Sequence, residues 1–312
     1  MITAVGLALL CLLLAAGLPV AFAMAISGAV GLVWMGGPNM LLGIMETVPM
    51  SVANSYEIIT VPMFLLMAEL VILSGLADRL FSASVAWVGH IRGGLAVATT
   101  LAGAGFGAIS GSSTAAAATL SSTTIPAMMK QGYDPAFAGG VVSISGTLAM
   151  LIPPSIALIL YGIIADVGIG ALLVAGIIPG ILVCLTIILT ILFLVWRYPK
   201  LAPVGRPHSL KEKFTSLVVV GPLIALFMLV TGTIYTGIAT PTEAAGVGAF
   251  GALVLAVLSG RLTLSGLSKA LVRATHTSCM ILLIILGAHI FGTFFTLTQA
   301  TQQLVTIVGG LD

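Results

Sequence analysis

With 312 residues, 59% of them hydrophobic and only 6% charged, the chain departs far from the roughly 25% charged content of soluble domains. Its mean hydropathy of +1.24 excludes a soluble globular enzyme and leaves an all-α polytopic membrane protein as the fold class. A formal net charge of +2, with basic residues scattered through loops, gives no nucleic-acid footprint. Cys11, Cys184 and Cys279 lie in apolar runs without disulfide or metal-ligand spacing.

Apolar segments fall at about 2–17, 19–35, 56–75, 94–129, 136–163, 171–196, 217–235, 240–258 and 274–296, and a last one begins near 303. Ala21-Phe22-Ala23 imitates a signal-peptide cleavage site, but no basic region precedes it, so the first segment reads as a retained span. Residues 76–92 mix Asp78, Arg79, His90 and Arg92 with Leu80, Phe81, Val85 and Trp87, which predicts an amphipathic interfacial helix, and 261–273 reads the same way. The loop 197–213 carries Arg197, Lys200, Arg206, Lys211 and Lys213 and is expected in the cytoplasm. Counting spans outward from it places all eleven Lys and Arg residues on that side. The span parity suggests an inverted repeat, with residues 1–196 as the first copy, 197–213 as the basic loop and 214–312 as an incomplete second copy.

The segment 94–129 differs from the others. Within Ala98–Thr124, 23 of 27 residues are Ala, Gly, Ser or Thr, a composition that lets backbones approach closely rather than one that faces lipid. Its centre, Ser110-Gly111-Ser112-Ser113-Thr114, is a turn and N-cap signal. One crossing needs about 20 residues and two need about 40, so the spacing predicts a re-entrant helical hairpin with its tip at membrane depth. Irregular backbone is tolerated there only against protein or a water-filled cavity.

The segment 136–163 carries Ser143-Ile144-Ser145-Gly146-Thr147 and then Pro153-Pro154. Neither proline has an amide hydrogen, which frees the carbonyls of Ala149 and Met150 and predicts a break into two half-helices. Carbonyls ending the first half suit a cation, and amides starting the second near Ser155 suit an anion. The hairpin tip has the same dual character, with carbonyls around Gly107–Ser110 and amides around Ser112–Thr114. Two discontinuous helices at mid-membrane are the pattern of a secondary transporter's ion and substrate sites, against a simple proline kink and ordinary backbone capping by the hydroxyls.

Six motifs stand in order along the chain: Pro62-Met63-Phe64 with Ala68-Glu69-Leu70, Gly107-Ala108-Ile109-Ser110-Gly111-Ser112-Ser113, Gly132-Tyr133-Asp134, Ile152-Pro153-Pro154-Ser155, Ala175-Gly176-Ile177-Ile178-Pro179-Gly180 and Ala239-Thr240-Pro241-Thr242-Glu243-Ala244. Through them the chain resembles the large membrane subunit (DctM-type) of tripartite ATP-independent periplasmic (TRAP) transporters. The resemblance implies an elevator-type permease of the bacterial inner membrane, driven by sodium and requiring no other cofactor. The implied cargo is an organic acid such as a C4-dicarboxylate or sialic acid, delivered by a periplasmic binding protein. A small four-helix membrane subunit is the implied partner. Carried over residue by residue, Ser110, Gly111, Ser145, Gly146, Ala149 and Met150 would hold sodium, while Ser112, Ser113, Thr114, Pro154 and Ser155 would meet the substrate. Family members continue with a second hairpin and a second broken helix, so the resemblance implies a truncated second repeat and a chain that inserts without transporting.

The alternatives are a passive channel and an intramembrane serine protease using Ser145 and His289, for which no GxSxG surrounds the serine. Glu69, acidic within a predicted span, is a functional candidate or a local partner of Arg79. His276 and His289 read as packed, neutral histidines.

Overall fold

The computed structural model describes residues 2–205, 207–300 and 302. Thirteen α-helices follow one another among them: α1 (Ile2–Ala15), α2 (Val20–Ala53), α3 (Thr60–Ser74), α4 (Leu76–Val88), α5 (Gly94–Ser110), α6 (Ser113–Lys130), α7 (Pro135–Thr147), α8 (Ile156–Ala165), α9 (Ile169–Ala175), α10 (Ile177–Arg197), α11 (Leu210–Tyr235), α12 (Pro241–Leu258) and α13 (Leu264–Leu297). Short 3₁₀ turns precede α3 at Tyr56–Ile59 and follow α7 at Leu148–Met150. Among the described residues six helical stretches are long and apolar enough to cross a membrane: Val20–Ala53, Tyr56–Ser74, Ile169–Arg197, Leu210–Tyr235, Pro241–Leu258 and Leu264–Leu297. The predicted class, an all-helical polytopic membrane protein, holds.

Three boundaries differ from the sequence expectation. The span expected at 19–35 continues to Ala53, because Gly37 (φ 75°) bends the helix and Pro38 restarts it. Proline's fixed φ and missing donor suit a first helical position, so the pair redirects the chain without ending the helix. The interfacial helix expected at 261–273 and the span at 274–296 are one helix, α13. Between Leu267 and Leu286 there is neither Gly nor Pro, so Arg273 and His276 change polarity there without breaking backbone bonds. The basic loop ends earlier than position 213, because Ser209 and Glu212 form a capping box that starts α11 at Leu210. The apolar run near 303 lies outside the described residues.

The chain gathers into two compact units, residues 1–58 with 275–312 and residues 59–274, a division distinct from that at 196 and 213. In the first, small residues admit a large ring. Leu32, Ile290 and Phe294 are buried together, a Cβ on Gly6 or Gly31 would collide with the Phe294 ring, and Ser27 donates to the Gly6 carbonyl at 2.6 Å.

In the second unit α3 packs along α12. Ala244, Ala245, Gly248, Ala249 and Ala252 of α12 are buried, as are Val61, Phe64, Met67 and Val71 of α3; Met67 lies against Gly248, and the Thr60 and Thr242 hydroxyls pair at 2.6 Å. The motif Thr240-Pro241-Thr242-Glu243 does local work here: Thr240 and Glu243 form a second capping box, with Pro241 at the first helical position.

The expected hairpin is present as α5 and α6, which pack against α7, and α5 against α3, α4 and α10 as well. Its base is tied to the basic loop. Arg92 bridges Val204, the Gly93 amide donates to Pro203 at 3.4 Å, and the Asp134 amide donates to Leu201 at 3.1 Å. The motif Gly132-Tyr133-Asp134 makes that turn. Gly132 adopts φ 83°, the Leu95 amide donates to the buried Tyr133 hydroxyl at 3.1 Å, and Asp134 caps α7 at the Phe137 amide. Burial pushes the Tyr133 phenol above its ordinary pKa, so the hydroxyl stays neutral.

Candidate functional site

The hairpin tip and the proline break meet. α5 ends at Gly111 in the left-handed region (φ 59°), where its amide donates to the Gly107 carbonyl. Ser112 then turns extended and caps α6 by accepting from the Ala115 amide. On the other element, α7 gives way to the 3₁₀ turn 148–150, a cis peptide joins Pro153 to Pro154, and Ser155 caps α8 by accepting from the Leu158 amide. The two are joined by one backbone bond, from the Ile156 amide to the Gly111 carbonyl at 3.2 Å. A Cβ on Gly111 would lie 2.7 Å from the Pro154 carbonyl oxygen, so only glycine fits both the φ and the approach.

A seam of close approaches extends from this point. Added Cβ atoms on Gly107 and Gly146 would lie 2.7 Å from Ala149 Cα and 2.8 Å from Ala117 Cβ. The motif Ala175–Gly180 presses on the break from outside: a Cβ on Gly176 would lie 2.9 Å from the Leu151 carbonyl oxygen, and one on Gly180 2.9 Å from Ile152. Small residues here allow backbone-to-backbone packing that any larger side chain would open.

The sequence-predicted ion residues occupy two levels. Ser110 and Gly111 lie at the tip, and Ala149 lies beside Gly107 one turn below. Ser145 is level with Gly103, seven residues (103 to 110) before Ser110 along α5, which is about 10 Å of helix. Ser110 and Ser145 are both fully buried, but the Ser145 hydroxyl pairs with Thr100 at 3.0 Å. Thr100 was not legible as a partner, since 45 residues separate the two. The carbonyl of Met150, expected free, accepts from the Ser155 hydroxyl at 2.6 Å. Its second lone pair and the Ala149 carbonyl keep the partial negative charge, suited to a cation, that is expected of this end.

The anion-binding amides are fewer than the sequence implied. Of the first four amides of α8, that of Ile156 goes to Gly111, that of Leu158 to Ser155 Oγ and that of Ile159 to the Ser155 carbonyl. Of the four the Ala157 amide is left, together with the polar groups of α6. Ser112 and Ser113 are half-buried, Thr114 is exposed, and the Ser112 and Thr114 hydroxyls pair at 3.2 Å. Pro154 and Ser155 are buried at the same level.

Glu69 pairs with Arg273 of α13 (3.2 Å), not with Arg79. The contact is Coulombic, since Glu69 Oε2 is buried yet takes no hydrogen bond. The Arg273 side chain is 61% exposed and that of Glu69 18%, so solvent screens the cation and not the carboxylate. Asp78 is engaged across α4 and α6 by the Thr123 hydroxyl at 2.9 Å. His276 is exposed, not packed, whereas His289 is half-buried.

Two helix breaks facing each other in an all-helical chain with six candidate spans define a multi-pass membrane protein of the transporter type. Residues 7–312 match the family model described as the DctM component of the tripartite ATP-independent periplasmic transporter. Similar proteins include the C4-dicarboxylate TRAP transporter large permease protein DctM of Pseudomonas aeruginosa, 37% identical over 82% of this chain and 60% of that protein. The sialic acid TRAP transporter large permease protein SiaM of Vibrio cholerae is 34% identical over 80% of this chain and 58% of that protein. The ectoine TRAP transporter large permease protein TeaC of Halomonas elongata is 32% identical over 98% of this chain and 70% of that protein. The chain belongs to the TRAP transporter large-permease family, which is a family of bacterial transporters and not of enzymes. It spans about three-fifths of the length of the first two relatives.

Proposed function

We propose that this chain forms the permease part of a sodium-coupled TRAP transporter in the bacterial inner membrane, working by elevator-type alternating access. It takes an organic acid, such as a C4-dicarboxylate or sialic acid, from a periplasmic binding protein and works beside a small membrane subunit. The observation that carries this reading is the Ile156–Gly111 bond, which holds two discontinuous helices tip to break. Neutral oxygens of Ser110, Gly111, Ala149 and Met150, from the tip and the break, would suit a sodium ion, a hard cation. Ser145 and Gly146, a level lower, hold the seam through Thr100 and Ala117. Ser112, Ser113 and Thr114, with Pro154 and Ser155 opposite, are the substrate end, where the partial positive charge of the α6 N-terminus favours a carboxylate. The buried and already paired hydroxyl of Ser145 makes its effect on sodium smaller than that of Ser110.

The test is uptake by the full transporter containing this sequence, with binding protein and small subunit, when sodium is replaced by potassium. Uptake should be lost, and Ser110→Ala should raise the sodium concentration for half-maximal uptake more than Ser145→Ala does. Equal uptake in potassium, or flux that never accumulates substrate against its gradient, would refute coupling and leave a passive channel.

A further inference from the structure

A cleft of about 460 Å³ lies between the turn at Gly75, the start of α4, the start of α11 and the turn before α13. It is lined by three cations, Arg79, Lys211 and Arg261, and by two carboxylates, Asp78 and Glu212. Both carboxylates are committed. Asp78 accepts from the Thr123 hydroxyl, and Glu212 accepts from the Ser209 amide at 2.8 Å and faces His208 at 3.3 Å. Among the described residues none of the three cations is in an ion pair. The Arg261 guanidinium lies against the backbone of Gly75, so close that a side chain there would collide with it. Gly75 takes φ 71°, which keeps that floor bare.

The lining changes character along α11. Lys211, Thr215 and Val219 follow at four-residue steps and so share one face. They run from charge through hydroxyl to an apolar side chain, with Ala83 of α4 opposite. That sequence matches a phospholipid from headgroup to acyl chain, and a soluble phosphate would have no use for its apolar end. The cleft also lies on helices that begin at the charged end of a span, where headgroups are found.

We propose that this cleft binds the phosphate of an anionic phospholipid through Arg79, Lys211 and Arg261. The inference is independent of the sodium and substrate reading, because none of its residues belongs to the tip or the break. Arginine offers a planar fork to phosphate oxygens and lysine a point charge, so the three together hold a single phosphate from several sides. The lipid would pin the amphipathic α4 to the start of α11.

The full chain, purified in detergent, is titrated with phosphatidylglycerol and, separately, with phosphatidylcholine, and retained lipid is read by native mass spectrometry. One phosphatidylglycerol should be retained at concentrations where phosphatidylcholine is not. Lys211→Gln should weaken retention about fivefold, from the roughly 1 kcal/mol that one cation contributes near an anionic lipid. Adding Arg79→Gln should weaken it further, whereas Lys130→Gln, outside the cleft, should leave it unchanged. Lys211 is exposed on the first turn of α11, so its replacement leaves the fold intact, and an unchanged melting temperature without lipid verifies this. Equal retention of both lipids, equal weakening by Lys130→Gln, or displacement by glycerol phosphate at matching concentration would overturn the proposal.

Discussion

Replacing Gly107 by Ala measures how tightly the hairpin is held to the broken helix. Gly107 has ordinary helical backbone, so a methyl there carries no conformational strain, and in an open helix the change gains about 1 kcal/mol from reduced backbone entropy. The site is not open. The added Cβ would lie 2.7 Å from Ala149 Cα, 2.9 Å from Ala149 N and 3.0 Å from Ala149 Cβ, against an optimum of about 3.5–4.0 Å for carbon pairs. None of these atoms can rotate away, so α5 and the 3₁₀ turn must separate, and such overpacking costs about 1–3 kcal/mol. The net effect is between zero and a loss of about 2 kcal/mol. Gly139, on α7 with nothing within 4 Å of its added Cβ, is the matched control and should show the gain of about 1 kcal/mol. Thermal unfolding of both variants of the full chain, followed by near-ultraviolet circular dichroism in one detergent, should place Gly107→Ala a few degrees below Gly139→Ala. A Gly107→Ala variant as stable as Gly139→Ala would mean that the seam yields, and that the tip is not fixed by the break.

Tyr133→Phe removes the acceptor for the buried Leu95 amide and should cost about 1–3 kcal/mol of stability. Since burial raises the phenol's pKa above its ordinary value of 10.0, that contribution is complete below pH 10.0 and declines only above it, which an unfolding series from pH 6 to 11 in wild type and variant would check. Topology is read by cysteine labelling in a background without Cys11, Cys184 and Cys279. Cysteines at Lys130 and Lys200, both exposed at the basic end, should react from the cytoplasm and one at Asp166 from the periplasm, and labelling of all three from one side would refute the span count.

What the sequence made legible follows from which physical signals are local. The break at Pro153-Pro154 is a covalent fact, and the tip at Ser110–Ser113 combines a glycine with a capping serine, so both elements stood where expected. The continuity of α13 was hidden because Arg273 and His276 alter polarity, and polarity marks where a helix meets water, not where its backbone bonds stop. The extension of α2 past Gly37 was hidden for the converse reason, since Gly-Pro usually ends a helix and here only bends it. Partners across the fold gave no local signal. Glu69 with Arg273, Asp78 with Thr123, and Ser145 with Thr100 are set by which helices lie together, and single-sequence spacing does not contain that.

The depth of the hairpin is the remaining step. Its arms, with 17 and 18 residues, measure about 26 and 27 Å at 1.5 Å per residue, close to the roughly 30 Å of a hydrocarbon core. Length alone therefore leaves two full crossings open. The companion helix discriminates. α7 starts from the same end as the hairpin base, since Asp134 and the hairpin's Gly93 both bond to the loop 201–203, and it runs alongside until Gly111 meets Ile156. At that point the chain still has the ten residues of α8 to go, about 15 Å of helix. Where α8 continues the course of α7, a tip beside its first residue falls short of where its neighbour ends, and we infer a re-entrant loop rather than a second crossing. The same offset accounts for the break. A tip placed inside the bilayer presents amides and carbonyls that lipid cannot satisfy, and an intact helix beside it would have none to offer in exchange. The prolines interrupt the neighbour at the matching level, so that the Ile156 amide becomes available to the Gly111 carbonyl and each irregular segment answers the other.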